Sequence, residues 1–262
     1  MMSTCHAMYS LGGAVSALLA STFFGMGIGS GYQIEIISFV IIIVILSNRK
    51  YLLANQEIIH SKSPFKFPSL TILGISFICM VTFMAEGCVA DWSALYFKEV
   101  LHAPRNIMSF GYAGFSIAMT IGRLNGDSFI AKVGGKKIVI VGSLLATVGF
   151  LMVSFAPGIA VAIAGYTLVG IGCSCIVPVL FSASANIPGV STVEGFAMVT
   201  TGGLIGFLAG PSLIGLISER SDLSKGFLLL TILCITAAVA GWKNKFLGAG
   251  KELKGEEFVI NE

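Results

Sequence analysis

Eight apolar runs, separated by short polar or charged breaks, set the pattern of this 262-residue chain. They extend roughly from Met8 to Gly27, Gln33 to Leu46, Ser69 to Val89, Ile107 to Leu124, Ile138 to Ala156, Ile159 to Phe181, Phe196 to Ser218 and Phe227 to Trp242. Each approaches the roughly 20 residues that a helix needs to cross the hydrocarbon core of a bilayer. The glycines within them predict close helix packing through small side chains rather than flexible segments. The pattern therefore predicts an all-α, multi-pass membrane bundle of about eight transmembrane helices.

Composition agrees. A hydrophobic content of 55%, charge on only 11% of residues and a mean hydropathy of +0.92 leave too little polar surface to cover a soluble globule. The net charge of +3 is small and its lysines and arginines lie in the breaks, which argues against a nucleic-acid partner. Six scattered cysteines, with no CxxC pair and no histidine at metal spacing, read as packing residues, so no metal or other cofactor is expected. No cleavable signal pattern precedes the first apolar run.

Charge placement predicts the orientation. If the breaks after the second, fourth and sixth runs face the cytoplasm with the C-terminal tail, that side holds Arg49, Lys50, Lys62, Lys66, Arg123, Lys132, Lys136, Lys137, Lys243, Lys245, Lys251 and Lys254. The other side holds Lys98, Arg105, Arg220 and Lys225. This excess of positive charge places both termini in the cytoplasm, in an inner (plasma) membrane contacted by lipid.

The most organised break is Gly122 to Lys137, GRLNGDSFIAKVGGKK, read as a compact basic hairpin. Its glycines, Gly122, Gly126, Gly134 and Gly135, allow close helix ends and a backbone reversal. Gly-Arg-Leu-x-Gly-Asp followed by Lys-x-Gly-x-Lys-Lys resembles the cytoplasmic loop motif of major facilitator superfamily transporters. The acid that usually precedes the basic residue of that motif is replaced by Ala131, before Lys132, and Asp127 stands one helical turn earlier. The resemblance implies a cytoplasmic gating loop made of Gly122, Arg123, Gly126, Asp127, Lys132, Gly134, Lys136 and Lys137, with Asp127 as the latch carboxylate. The structural alternative is that the lysines only set topology.

An internal repeat points the same way. A shift of 190 positions lays Gly12 and Gly13 on Gly202 and Gly203, Ser16 on Gly206 and Ala20 on Gly210. The segments MSTCHAMYSLGGAVSA, EGCVADWSALYF and GFLAGPSLIGLISE resemble the fifth, seventh and eleventh helices of bacterial members, particularly the YbjJ-type inner-membrane group. The resemblance implies a partial major facilitator fold without its first four helices. Residues 1–47 would be the last two helices of the N-terminal bundle, 48–68 the central cytoplasmic loop, 69–243 a six-helix C-terminal bundle and 244–262 a cytoplasmic tail. Gly206, Gly210, Pro211 and Gly215 would serve helix packing and rocking.

Candidate pathway residues follow from charge at membrane depth. Glu86, read as near the outer end of the third helix, shares a stripe with Cys79, Thr82 and Ser93 at helical spacing. The stripe suits either a cavity wall or, for Glu86, a headgroup-level carboxylate. Asp91, beside Trp92, reads as an interfacial position or a gate. Glu35 stands near a helix start, where a carboxylate favours the helix dipole. His6 and Tyr9, one turn apart, are a candidate proton relay or simply solvated.

The expected function is secondary active transport of a small solute by alternating access, with protons as a candidate driving ion, by a monomer. One alternative is a truncated, transport-incompetent fragment. A membrane-embedded enzyme is a minor alternative, because paired ionisable groups deep in adjacent helices are not evident in the sequence. No GxxxxGK[ST] phosphate loop is present.

Overall fold

The computed structural model describes residues 2–49 and 70–247, with side chains from Ala7 onward. Most of the central loop expected at 48–68 and most of the tail expected at 244–262 thus lie outside the described residues. The described chain is helical throughout: α1 (Met2–Gly25), α2 (Ser30–Asn48), α3 (Leu70–Glu99), α4 (Phe110–Val133), α5 (Gly135–Ser154), α6 (Ile159–Cys173), α7 (Ile176–Ser184), α8 (Thr192–Arg220) and α9 (Leu223–Lys243). Seven stretches among the described residues are long and apolar enough to cross a membrane, with Ile159–Ser184 counted as one. The remaining long helix, α4, carries Arg123, Asp127 and Lys132.

Three boundaries differ from the sequence expectation. The basic hairpin is not a loop over its whole length: α4 continues through Arg123 and Asp127 to Val133, and the reversal rests on Gly134 at φ +88°, with α5 starting at Gly135. That positive φ suits glycine, which has no Cβ to clash. Hydropathy ends the run near Leu124 because charges appear there, yet a helix tolerates a charge that finds a partner on its neighbour. Likewise α3 runs past Val89 to Glu99, since Trp92, Tyr96 and Phe97 keep an apolar face packed beyond the polar residues. Glu86 consequently lies near the middle of its helix, about 24 Å along the axis from Leu70, rather than at an outer end.

The third difference is the break at Ser174 and Cys175, which divides the predicted sixth span into α6 and α7. Pro178 explains it. Proline has no N–H to donate to the preceding turn and is tolerated in the first turn of a helix, where Pro178 sits in α7.

Helices α3 to α9 pack into one bundle, in which α3 lies along α8, α5 between α6 and α9, and α4 against α6. Glycine makes the close approaches. A Cβ on Gly149 would stand 2.6 Å from the carbonyl oxygen of Gly165, so α5 and α6 meet backbone to backbone. Tyr96, Tyr166 and Phe227 fill one end of the core edge to face, with ring centroids of Phe227 5.4 Å from Tyr96 and 5.7 Å from Tyr166. Such pairs add about 0.5–1.5 kcal/mol each beyond their burial. Tyr96 also donates from its hydroxyl to the Val153 carbonyl at 2.5 Å, tying α3 to α5.

The first two helices are attached differently. The main neighbour of α1 is α4, and that of α2 is α1. On α1 the buried side chains are Ala7, Ser10, Ala14, Ala17 and Ser21, alternately three and four residues apart. This is a narrow seam of small residues, the geometry that lets two membrane helices approach closely. Only 6% of the α2 span is buried.

Candidate functional site

The α1–α4 seam and the middle of α3 meet at one buried cation. Arg123 belongs to α4, about 15 Å along the axis from Val133, and its side chain is 3% exposed. Its Nη2 donates to Glu86 Oε1 on α3 at 2.9 Å, and the Glu86 side chain is 11% exposed. Its Nη1 donates to Ser10 Oγ on α1 at 2.5 Å. One guanidinium therefore joins three helices, two of the bundle and one across the seam.

Helix direction brings these groups together. Chain order makes α3 and α4 antiparallel, so a residue well along α3 lies level with one well back from the end of α4. The antiparallel run of α1 beside α4 then presents Ser10 at the same height. Above it, a Cβ on Gly13 would stand 2.6 Å from the Tyr112 hydroxyl, and Ser21 donates to the Asn106 carbonyl at the far end of the seam. Tyr9, 67% exposed on the open side of α1, interacts electrostatically with Glu86, Arg123, Tyr112 and Asp91.

Energetics single out this ion pair. Exposed pairs contribute about 0–1 kcal/mol, and the bond between Lys98 and Glu99, both more than half exposed, belongs to that class. Glu86–Arg123 is shielded from water, so losing either partner leaves a buried charge, at a cost of about 3–5 kcal/mol. A titratable carboxylate held on a permanent cation is a site whose charge state alters the forces between helices.

The other expected positions are placed as follows. Thr82 is buried and donates within its own helix to the Ile78 carbonyl at 2.9 Å. Ser93 is fully buried, and its hydroxyl has no hydrogen-bond partner. Asp91 is exposed, and its neighbour Trp92 donates from Nε1 to the Pro211 carbonyl on α8 at 3.0 Å. Glu35 is exposed near the start of α2, whereas the side chain of His6 lies outside the described residues. The anticipated stripe of Cys79, Thr82, Glu86 and Ser93 is thus not one polar wall, since Cys79 packs toward Gly203 of α8 while Glu86 faces α4.

In the Gly122–Lys137 stretch, Gly122 packs against Ser174 and Gly126 is buried in α4. Asp127, Lys132 and Lys137 are exposed and Lys136 is half-buried; none of them forms an ion pair among the described residues. On α8, Gly206 fits against the Met80 backbone, Gly210 against Met84 and the Cys88 sulfur, and Gly215 against the Trp92 ring. These three glycines and Pro211 bind α8 to α3. Cys79, Cys88, Cys173, Cys175 and Cys234 are buried and unbridged, and no metal-ligating group of three side chains occurs among the described residues.

Sequence reasoning missed Ser10 and assigned Arg123 to a loop. The signal for the latter was available: Arg123 and Glu86 are opposite charges in two consecutive apolar runs. No comparable signal marked Ser10, one of many hydroxyls in the chain.

Known proteins resemble this chain in sequence and fold. The sequence pattern described as the Major Facilitator Superfamily matches residues 75–245, most of the α3–α9 bundle and all of the Glu86–Arg123 region. An uncharacterised MFS-type transporter of Yersinia pestis is 36% identical over 92% of this chain and 62% of its own length. The membrane protein MosC of Rhizobium meliloti is 34% identical over 65% of this chain and 42% of its own. An uncharacterised transporter of Sinorhizobium fredii is 25% identical over 91% and 64%. The chain thus spans less than two thirds of each of these relatives. Among solved structures, the peptide transporter POT in complex with sulfate superposes with a TM-score of 0.58 at 17% identity, covering 72% of this chain and 42% of that one. That likeness shows the fold.

Proposed function

Because the chain belongs to the major facilitator superfamily, we propose that it acts in secondary active transport of a small solute, with Glu86 and Arg123 as its coupling centre. The function is transport rather than catalysis. The observation that carries the site is the 2.9 Å ion pair at mid-helix, whose cation also holds Ser10 across the α1–α4 seam. A proton on Glu86 neutralises one side of the pair, changes the load on Arg123 and so changes how firmly α1 sits on α4. Alternating access needs such a link between charge and bundle contact.

On this reading α1 and α2 are the last two helices of an N-terminal bundle, and α3 to α9 make up the C-terminal one. The difference in attachment supports the division: α1 meets its neighbour through a seam of small residues, whereas the other bundle has an aromatic and aliphatic core. The reading also takes the protein as a monomer in the inner membrane with cytoplasmic termini, supported by the excess of lysine and arginine on one side. Asp127 and the lysines after it act at the cytoplasmic gate. Tyr9 and Asp91 line the approach to the pair, and the segments quoted above resemble those of the YbjJ-type group.

The test is uptake in proteoliposomes from a panel of sugars, organic acids and drugs, measured across pH. A solute whose uptake depends on pH in the wild type and loses that dependence in Glu86→Gln supports the reading. An unaltered pH profile in the variant removes Glu86 from coupling.

A further inference from the structure

We propose that the end of the bundle formed by the α4–α5 turn and the close of α9 is a binding site for an anionic phospholipid. Its phosphate sits among Lys137, Lys243 and the lysines beside them, and its acyl chains lie along α5 and α9. This goes beyond the transport reading and does not depend on it.

Two segments distant in sequence meet at this end. A Cβ on Gly135, the first residue of α5, would stand 3.2 Å from the carbonyl oxygen of Leu247, and one on Gly241 would stand 2.9 Å from Val139 Cγ1. The chain after α9 is held there: Asn244 donates from Nδ2 to the Thr71 carbonyl on α3 at 3.3 Å, and Leu247 is buried. Lys132, Lys136 and Lys137 on one segment are thereby gathered with Lys243 and Lys245 on the other. None of these lysines forms an ion pair among the described residues. The described acids toward the same end are Asp127, about 9 Å back from the close of α4, and Glu194, which is engaged in the capping box of α8.

What lies beside the lysines selects a lipid over a soluble anion. On α5, Lys137 continues the exposed stripe of Val141, Leu144 and Val148. On α9, which packs beside α5, Trp242 and Lys243 close the exposed stripe of Ile232, Ile235 and Val239. From Lys137 to Val148, and from Ile232 to Lys243, is about 17 Å along each helix axis, close to the depth of one leaflet of the hydrocarbon core. Each stripe is therefore an acyl chain's length of apolar surface that ends in a cation at headgroup level. Trp242, 66% exposed, and Phe246 supply the aromatic rim that favours this depth. The preference for lysine on the cytoplasmic side explains which end carries these cations, but not their place at the ends of two neighbouring lipid-facing stripes. Lysines gathered within a Debye length act together on a phosphate monoanion, whereas a zwitterionic lipid offers the same chains without the net charge.

The test titrates the full chain, purified in dodecyl maltoside, with phosphatidylglycerol and with phosphatidylcholine of the same acyl chains, and counts bound lipid by native mass spectrometry. Wild type should bind phosphatidylglycerol about 30-fold more tightly, the ratio expected from two lysines that each favour an anionic headgroup. Lys137→Gln with Lys243→Gln should lower that ratio to about threefold or less. Arg105→Gln with Lys225→Gln, the same change of charge at the opposite end of the bundle, should leave it unaltered. Glycerol 3-phosphate, which has the phosphate without the chains, should fail to displace the bound lipid. Equal binding of the two lipids by wild type overturns the proposal without recourse to any variant. So does an undiminished ratio in the Lys137 and Lys243 variant, or an equal loss in the Arg105 and Lys225 variant, which would make the effect one of net charge. Displacement by glycerol 3-phosphate would make the occupant a soluble anion and overturn it as well.

Discussion

Neutralising one side of the Glu86–Arg123 pair should destabilise the fold far more than neutralising both. At an effective dielectric near 20, two unit charges about 4 Å apart attract by about 4 kcal/mol, and burial of both side chains limits screening. Desolvation offsets much of that gain, so the intact pair contributes little relative to an uncharged pair of similar volume. Glu86→Gln alone, or Arg123→Gln alone, should therefore cost about 3–5 kcal/mol. The double variant should recover all but about 1 kcal/mol. Denaturant unfolding of the four proteins in matched micelles, followed by helical circular dichroism, gives the cycle. Additive losses in the double variant would mean that the two side chains do not interact, and would refute the Glu86–Arg123 ion pair.

The remaining predictions follow from packing and orientation. Gly206→Leu should abolish monodisperse folded protein, because the new side chain meets the Met80 backbone; normal size-exclusion behaviour would contradict the α3–α8 contact. Gly13→Leu should separate α1 from α4, since even a Cβ there would stand 2.6 Å from the Tyr112 hydroxyl and 3.1 Å from Ser116 Oγ, leaving no room for the rest of the side chain; the readout is loss of the Ser21→Cys to Asn106→Cys crosslink, and an unchanged yield counts against the seam. Cysteines at His102 and Ser221 should react with an impermeant maleimide from outside, and one at Lys136 only after permeabilisation; outside reaction at Lys136 reverses the orientation. Asp127→Asn should raise cytoplasmic accessibility of a cysteine at Ser10, and equal labelling rates with and without the substitution would deny Asp127 a latch role.

The helical membrane bundle was legible because apolar length is a local property, carried in each run of residues. Boundaries were less legible where local and tertiary signals diverge. Arg123 lowers hydropathy just where α4 continues, since the residue that compensates it, Glu86, is 37 positions away in sequence. Tyr96 and Phe97 extend α3 by packing against α6 and α9, a fact absent from the pattern of their own segment. Glu86 could be singled out because an acid in an apolar run demands a partner. Ser10 could not, because a serine among alanines and glycines is ordinary packing until a guanidinium arrives from another helix. The break before Pro178 was legible in principle from proline chemistry alone.

The most direct measurement of the central claim separates movement across the membrane from coupling to protons. In proteoliposomes loaded with a solute identified from the uptake panel, wild type should accumulate it against a gradient when the lumen is made alkaline, and should also exchange labelled for unlabelled solute without any pH difference. Glu86→Gln should lose gradient-driven accumulation and retain exchange. Full accumulation in Glu86→Gln, at the wild-type rate and steady state, would contradict the assignment of Glu86 and Arg123 as the coupling centre.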